Sequence, residues 1–112
     1  FTALSQNVPE EVAGSFRKGD AKALSEHLHR NLEITIDEQR HTVSRNQAVR
    51  ILQDFFDDHP PSAFEVSYEG IKTEAKYSLC NYHSKKEKYH INLYFIEEKE
   101  KKYIYSISIE KL

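Results

Sequence analysis

The chain has no methionine, no tryptophan, one cysteine, three glycines and three prolines among its 112 residues. Without methionine, Phe1 is not a natural translation start, so the native N-terminus is expected to have been lost through signal-peptide processing or trimming. A lone cysteine, Cys80, excludes an internal disulfide and a multi-cysteine metal site. No apolar run approaches the ~18 residues that a membrane span needs. Neither sign of charge dominates: 16 Lys and Arg against 18 Asp and Glu leave a net charge of −2. That balance argues against a dedicated nucleic-acid binder, which carries a basic stripe. Repeats and low-complexity segments are also lacking.

What is present fits one soluble globular domain with a modest core: 38% hydrophobic and 30% charged residues. Residues 1–7 have no clear pattern and read as a lead-in. Pro9 suits the first turn of a helix, with Glu10 and Glu11 near its positive end. Val12 and Phe16 share a face, and Gly19 ends the helix. Asp20 is the expected N-cap of a second, shorter helix running through Leu28, with Leu24 and Leu28 inward. The segment 32–37 alternates as a half-buried strand. Residues 37–40 read as a turn and 41–43 as a short return strand. Ser44 and Gln47 form a capping box for a third helix, whose apolar stripe is Val49, Leu52, Phe55 and Phe56, widened by Ala48 and Ile51. His59-Pro60-Pro61 stops it.

The last third reads as four strands at about 64–72, 75–83, 88–97 and 102–110, and it holds all seven tyrosines. Pairing Lys72 with Ala75, and allowing three-residue loops at Lys85–Glu87 and Lys99–Lys101, gathers most large apolar residues on one face. That inward face would carry Phe64, Val66, Tyr68, Tyr77, Leu79, Asn81 and His83. From the later strands it would carry Tyr89, Ile91, Leu93, Phe95, Tyr103, Tyr105, Ile107 and Ile109. Cys80 and His90 would lie on the other, mostly polar face, with Ile71, Tyr82, Tyr94, Ile96 and Ile104 as its apolar exceptions. Three helical stripes and one apolar sheet face predict an α+β domain, with a curved antiparallel sheet packed on three N-terminal helices as a cone-shaped roll.

This element order resembles the nuclear transport factor 2-like superfamily, the cystatin-like α+β roll. A closer resemblance is to a small bacterial family of domains of unknown function with that fold. It is carried by Val8-Pro9-Glu10-Glu11-Val12, Phe16, Lys18-Gly19-Asp20-Ala21 and Leu32-Glu33-Ile34-Thr35-Ile36, then by Gln47-Ala48, Ile51-Leu52, Asp54-Phe55-Phe56 and Pro60-Pro61. The resemblance implies one domain over 8–112 and export to the periplasm or beyond, since such members usually follow a signal peptide. It implies no established activity. Enzymes of the superfamily, isomerase- and dehydratase-like, place an Asp or an Asp/His pair inside the cone. The inward face drawn above has no carboxylate, because Glu65, Glu69, Glu97 and Glu110 fall on the other parity. That argues for a non-catalytic domain that binds a small molecule or a protein partner through the sheet-helix cone, over an isomerase- or dehydratase-like enzyme using His83 or a helix acid such as Asp54 or Asp57 in a polar cone pocket.

The candidate ligand-binding residues are Tyr68, Tyr77, Asn81, His83, Tyr103 and Tyr105, a polar-aromatic wall whose buried phenols and amide would need partners. The plainer alternative is tyrosines packed in a core, and a histidine beside a turn. His27, His29 and His41 lack the spacing of a zinc site, and Cys80 has no base placed to activate it. No cofactor is expected. Lys85, Lys86 and Lys88 lie at the opposite end of the sheet from Lys99, Lys101 and Lys102, so they cannot merge into one patch. Ile71, Tyr82, Tyr94, Ile96 and Ile104 suggest a homodimer through the outer sheet face.

Overall fold

The computed structural model describes residues 8–72 and 75–112; the lead-in 1–7 and the expected turn Thr73-Glu74 lie outside the described residues. Helix α1 (Glu10–Lys18) follows Pro9 and buries Val12 and Phe16. Gly19 closes it at φ 68°, with the amides of Gly19 and Asp20 bonded to the carbonyls of Phe16 and Ser15. A Cβ on Gly19 would lie 3.0 Å from Pro61 Cδ, so this glycine also admits the segment that ends the third helix. Asp20 caps α2 (Ala21–Leu24), accepting from the Ala23 amide at 3.1 Å.

The second helix is shorter than expected. A 3-10 turn, Ser25–His27, leads straight into β1 (Leu28–Ile36). Leu28 is buried, but as the first strand residue, where it pairs with Ile104 and its carbonyl accepts from Arg45 Nε at 3.1 Å. One helical turn has little stability of its own, so these tertiary partners decide the boundary. β2 (Gln39–Ser44) returns antiparallel and hands over to α3 (Arg45–Asp58) through the complete Ser44–Gln47 capping box. Ala48, Leu52, Phe55 and Phe56 form the buried stripe of α3.

The remaining strands are β3 (Ala63–Lys72), β4 (Ala75–Ser84), β5 (Glu87–Glu98) and β6 (Lys101–Lys111). The six strands lie in the order β2-β1-β6-β5-β4-β3, with helices over one face. β1 runs parallel to β6, so the sheet is mixed and mostly antiparallel, not antiparallel throughout.

The hairpin loops are one residue tighter than the sequence suggests. Ser84 pairs with Glu87, and Glu98 with Lys101. The turn residues adopt left-handed backbone: Lys85 at φ 56°, Lys99 at 52° and Glu100 at 68°. Such turns ordinarily call for Gly, Asn or Asp, and another L-residue there costs roughly 1 kcal/mol or more. Three-residue loops are expected from the sequence because they gather the apolar residues of adjacent strands on one face, and nothing in the turn residues marks the tighter turn. The tighter turn reverses all of β4. Ser78, Cys80, Tyr82 and Ser84 face the helices, and Tyr77, Leu79, Asn81 and His83 face out.

Two bulges shift the neighbouring strands as well. On β3, Phe64 and Val66 face inward as expected, but the extra residue Ser67 leaves Tyr68 outward and turns Glu69 in. On β6, the bulge at Tyr105 pairs Phe95 with Ile104, so Ile104 is core while Tyr103 and Tyr105 face out. Leu93 still meets Ile107, and β5 presents Tyr89, Ile91, Leu93 and Phe95 to the core as expected.

Candidate functional site

All six expected ligand-binding residues, Tyr68, Tyr77, Asn81, His83, Tyr103 and Tyr105, are thus on the face away from the helices. Of the expected outer-face apolar set, Tyr94 and Ile96 are outward, while Tyr82 and Ile104 are fully buried in the core. Ile71 shares its parity with Glu69 and is 71% exposed.

The cone is filled. The Phe16 ring stacks on Phe64 with centroids 4.8 Å apart and meets Phe56 edge-on at 5.7 Å. Phe55 and Phe56 press on Tyr82 at 5.3 and 6.1 Å. The expected absence of inward carboxylates does not hold, since Glu69 and Glu87 both point to the helical side. Glu69 Oε2 accepts from the Val8 amide at 3.3 Å. Among the described residues, neither carboxylate lines the five clefts that open on the surface. Asp54 and Asp57 are exposed on α3 and supply no cone acid. Cys80 lies in the core instead of on the polar face. Burial, reinforced by the charge of Glu69, pushes its thiol up to about 12, so it stays protonated and inert. Ser78 Oγ is buried with no hydrogen-bond partner among the described residues.

Across the outer face runs a tyrosine ladder. Tyr68 on β3 meets Tyr77 on β4 with centroids 5.9 Å apart. Tyr77 stacks on Tyr94 of β5 at 5.7 Å, and Tyr94 meets Tyr105 of β6 edge-on at 6.3 Å. Each contact is a cross-strand or diagonal pair at the spacing neighbouring strands impose. Gly70, paired with Tyr77, makes room for the rings: a Cβ there would sit 3.0 Å from Tyr77 Cε1 and 3.2 Å from Tyr68 Cε2. The Tyr77 phenol is pushed above the usual tyrosine range, first by desolvation, then by Tyr68 and Tyr94. The outward neighbours of the ladder include Gly70, Leu79, Asn92, Ile96 and Ser106, none of them charged. Tyr68 is 56% exposed and Ile96 39%.

A polar cluster that the sequence reading missed lies where α3 ends. His59 Nδ1 is 3.1 Å from Glu87 Oε1 and 3.0 Å from the Tyr89 hydroxyl, which itself donates to Glu87 at 3.1 Å. Lys111 Nζ holds the other Glu87 oxygen at 2.9 Å, and the Tyr82 hydroxyl donates to the His59 carbonyl. Lys111 and Tyr89 together hold the Glu87 carboxyl below its usual range. Burial, then the hydrogen bond to Glu87 and its charge, pushes the Tyr89 phenol up to about 12. Burial, then Tyr89, raises Tyr82 further still. The cluster fastens the helix end to β4, β5 and β6. Its only local signal was His59 before the proline pair, which had been read solely as a helix stop.

The other candidates stay apart. His29 pairs with Glu98 at 3.1 Å and lies edge-on to Tyr103 at 6.1 Å. His41 is exposed on β2. No group of three or more metal-ligating side chains occurs among the described residues. Asn81 Nδ2 reaches Glu65 Oε1 at 3.5 Å, and the His83 carbonyl takes the Ser62 amide at 2.8 Å.

Comparison with known proteins fits this arrangement. Residues 9–110 match the family described as Domain of unknown function (DUF4783). A DUF4783 family protein from Bacteroides fragilis YCH46 is 26% identical, with a TM-score of 0.89 over 95% of this chain and 100% of its own. Another from Bacteroides uniformis ATCC 8492 is 24% identical, with a TM-score of 0.86 over 95% and 98%. A nuclear transport factor 2-like protein of unknown function from Silicibacter pomeroyi DSS-3 shares the fold at 12% identity, with a TM-score of 0.67 over 92% and 88%. No curated protein matches the chain. With its filled cone and its tyrosine-bearing outer sheet, the chain belongs to the DUF4783 family, domains of unknown function with the nuclear transport factor 2-like fold.

Proposed function

We propose that the domain is a non-catalytic interaction module that works through the outer face of its sheet, with a second copy of the chain as partner. The observation that carries this reading is the uncharged tyrosine ladder Tyr68-Tyr77-Tyr94-Tyr105, in a chain whose residues are 30% charged. Tyrosine rings give large contact area at little entropic cost, and their hydroxyls tolerate both a wet and a covered state.

The filled cone supports the same reading, because it removes the chamber that a small-molecule or enzymatic role would need. Size supports it too. Six strands at ~4.8 Å spacing and about 30 Å long give a face of roughly 700 Å², near the ~800 Å² per partner of a standard interface. A copy related by a twofold axis would set ladder against ladder, with the charged outward residues such as Glu65, Lys88 and Glu98 toward the rim of the contact. An exported location remains part of the proposal, carried by the family resemblance, with fractionation of cells expressing the full-length gene product as its check.

Sedimentation over a range of concentrations tests the partner. The wild-type chain is expected to self-associate, and Tyr94→Lys to weaken the association at least about tenfold by placing a charge in the middle of the contact. A monomer at high concentration, or a Tyr94→Lys chain that associates as well as wild type, overturns the reading. An isomerase- or dehydratase-like role has one observation in its favour, the inward turn of Glu69. It would require Phe16, Phe55 and Phe56 to vacate the cone.

A further inference from the structure

We propose that the cleft at the β5–β6 hairpin end of the sheet is a binding site for a small amphipathic monoanion, a carboxylate with an aromatic or aliphatic body. The cleft has a volume of about 370 Å³. Its apolar lining comes from Ala75, Phe95, Ile96 and Tyr105, and its polar lining from Lys76, Glu97 and Lys102. That volume lies within the usual range for small-molecule sites, and a mostly apolar wall with a few polar groups is their usual make-up. At ~30 Å³ per water, it has room for about a dozen water volumes, the size of a phenyl-substituted short-chain acid.

The charges select the ligand. Two neighbouring charged groups at this end are already engaged: Lys101 Nζ sits 5.7 Å over the Tyr103 ring, and Glu98 pairs with His29. The side chains of Lys76, Glu97 and Lys102 form no hydrogen bond or ion pair with a described residue. Glu97 faces Lys102 across the β5–β6 pair, so one ammonium balances one carboxylate. Among the described lining residues, Lys76, opposite Phe95 on the other side, is the surplus charge. A single anionic group beside an apolar body complements that arrangement. A neutral molecule leaves the ammonium without a counter-charge, and a cation meets repulsion. The cleft borders the outer face, with which it shares Ile96 and Tyr105, but the charge argument does not use the contact between ladders.

Titration followed by proton–nitrogen correlation spectra of the whole chain tests it, with phenylbutyrate, its neutral amide and phenylbutylamine as probes. The acid is expected to saturate with roughly millimolar affinity, as befits a ligand of about a dozen atoms. Its shifts should centre on Lys76, Ile96 and Lys102. The amide should bind about fivefold more weakly and the amine more weakly still. Lys76→Gln with Lys102→Gln should lower the acid's affinity to that of the amide, and the same spectra report whether that variant is folded. Equal binding of the three probes, shifts centred on Tyr68 and Tyr77, retained affinity in the folded double variant, or no saturation would each overturn the proposal. If the variant does not fold, the comparison of acid with amide on the wild-type chain decides the matter.

Discussion

The two faces of the sheet use tyrosine in different ways. On the inner face, Tyr82 and Tyr89 are wedged against Phe55, and each hydroxyl has a partner at the end of α3. On the outer face, Tyr68, Tyr77, Tyr94 and Tyr105 stack chiefly on one another. The inner pair holds the helical layer in place. The outer four lie on the face away from the helices and hold no helix in place. The comparison teaches that aromatic content does not locate a site. What matters is whether the helices or the surroundings occupy the ring faces.

The largest effect is expected on the inner side. Phe56→Ala would remove a ring that touches Phe16, Phe55 and Tyr82 and leave a cavity in the cone. A loss of about 3–5 kcal/mol is expected, read from denaturant or thermal unfolding. The inner/outer contrast would break if this variant unfolded no more easily than one altered on the ladder.

That contrast is also where reading the sequence went astray. The fold was legible because periodicity, the Ser44 capping box and the Gly19 cap are local signals, and each is realised in the structure. The inward set of β5 was legible because Tyr89, Ile91, Leu93 and Phe95 alternate without a break. The faces of β4 were not. Strand β4 carries Tyr77, Leu79, Asn81 and His83 on one parity and Ser78, Cys80, Tyr82 and Ser84 on the other, so composition alone favoured the wrong face. Only the length of the Lys85-Lys86 turn decides between them, and a lysine at φ 56° leaves no compositional trace. The bulges at Ser67 and Tyr105 are equally silent. Every candidate site residue lay on a strand whose facing those three features control.

An intermediate effect is expected where the inner pair meets the end of α3. Tyr82→Phe keeps the ring and deletes the donor to the His59 carbonyl, a loss of about 1 kcal/mol. A result near zero would mean that packing alone positions the tyrosine, which would bring the two faces closer together.

A smaller effect is expected from pH acting on the same cluster. The folded state lowers the Glu87 carboxyl, so its contribution is present above the ordinary value of 4.5 and is lost as pH falls through the lowered folded value. The Tyr89 phenol is raised, so its contribution is full below 10.0 and is lost as pH climbs toward about 12. Stability measured by unfolding across pH should therefore fall on both flanks. Glu87→Gln should flatten the acid flank, and a variant that kept the full acid slope would remove Glu87 from the account.

The smallest effect on stability is expected from Gly70→Ala, and it discriminates between the faces most finely. The new methyl would lie 3.0 Å from Tyr77 Cε1 and 3.2 Å from Tyr68 Cε2. Those are ring atoms on an outer face, free to give by a few tenths of an ångström, and alanine suits a strand better than glycine. The two terms oppose, so thermal unfolding should move by no more than about 0.5 kcal/mol. The rings themselves must still tilt away from their present 48° crossing. If the ladder is the contact surface, self-association measured by sedimentation should weaken although the fold does not. A chain that keeps both its stability and its association would show that ring geometry on the outer face carries no function, and would leave surface area alone to explain any dimer.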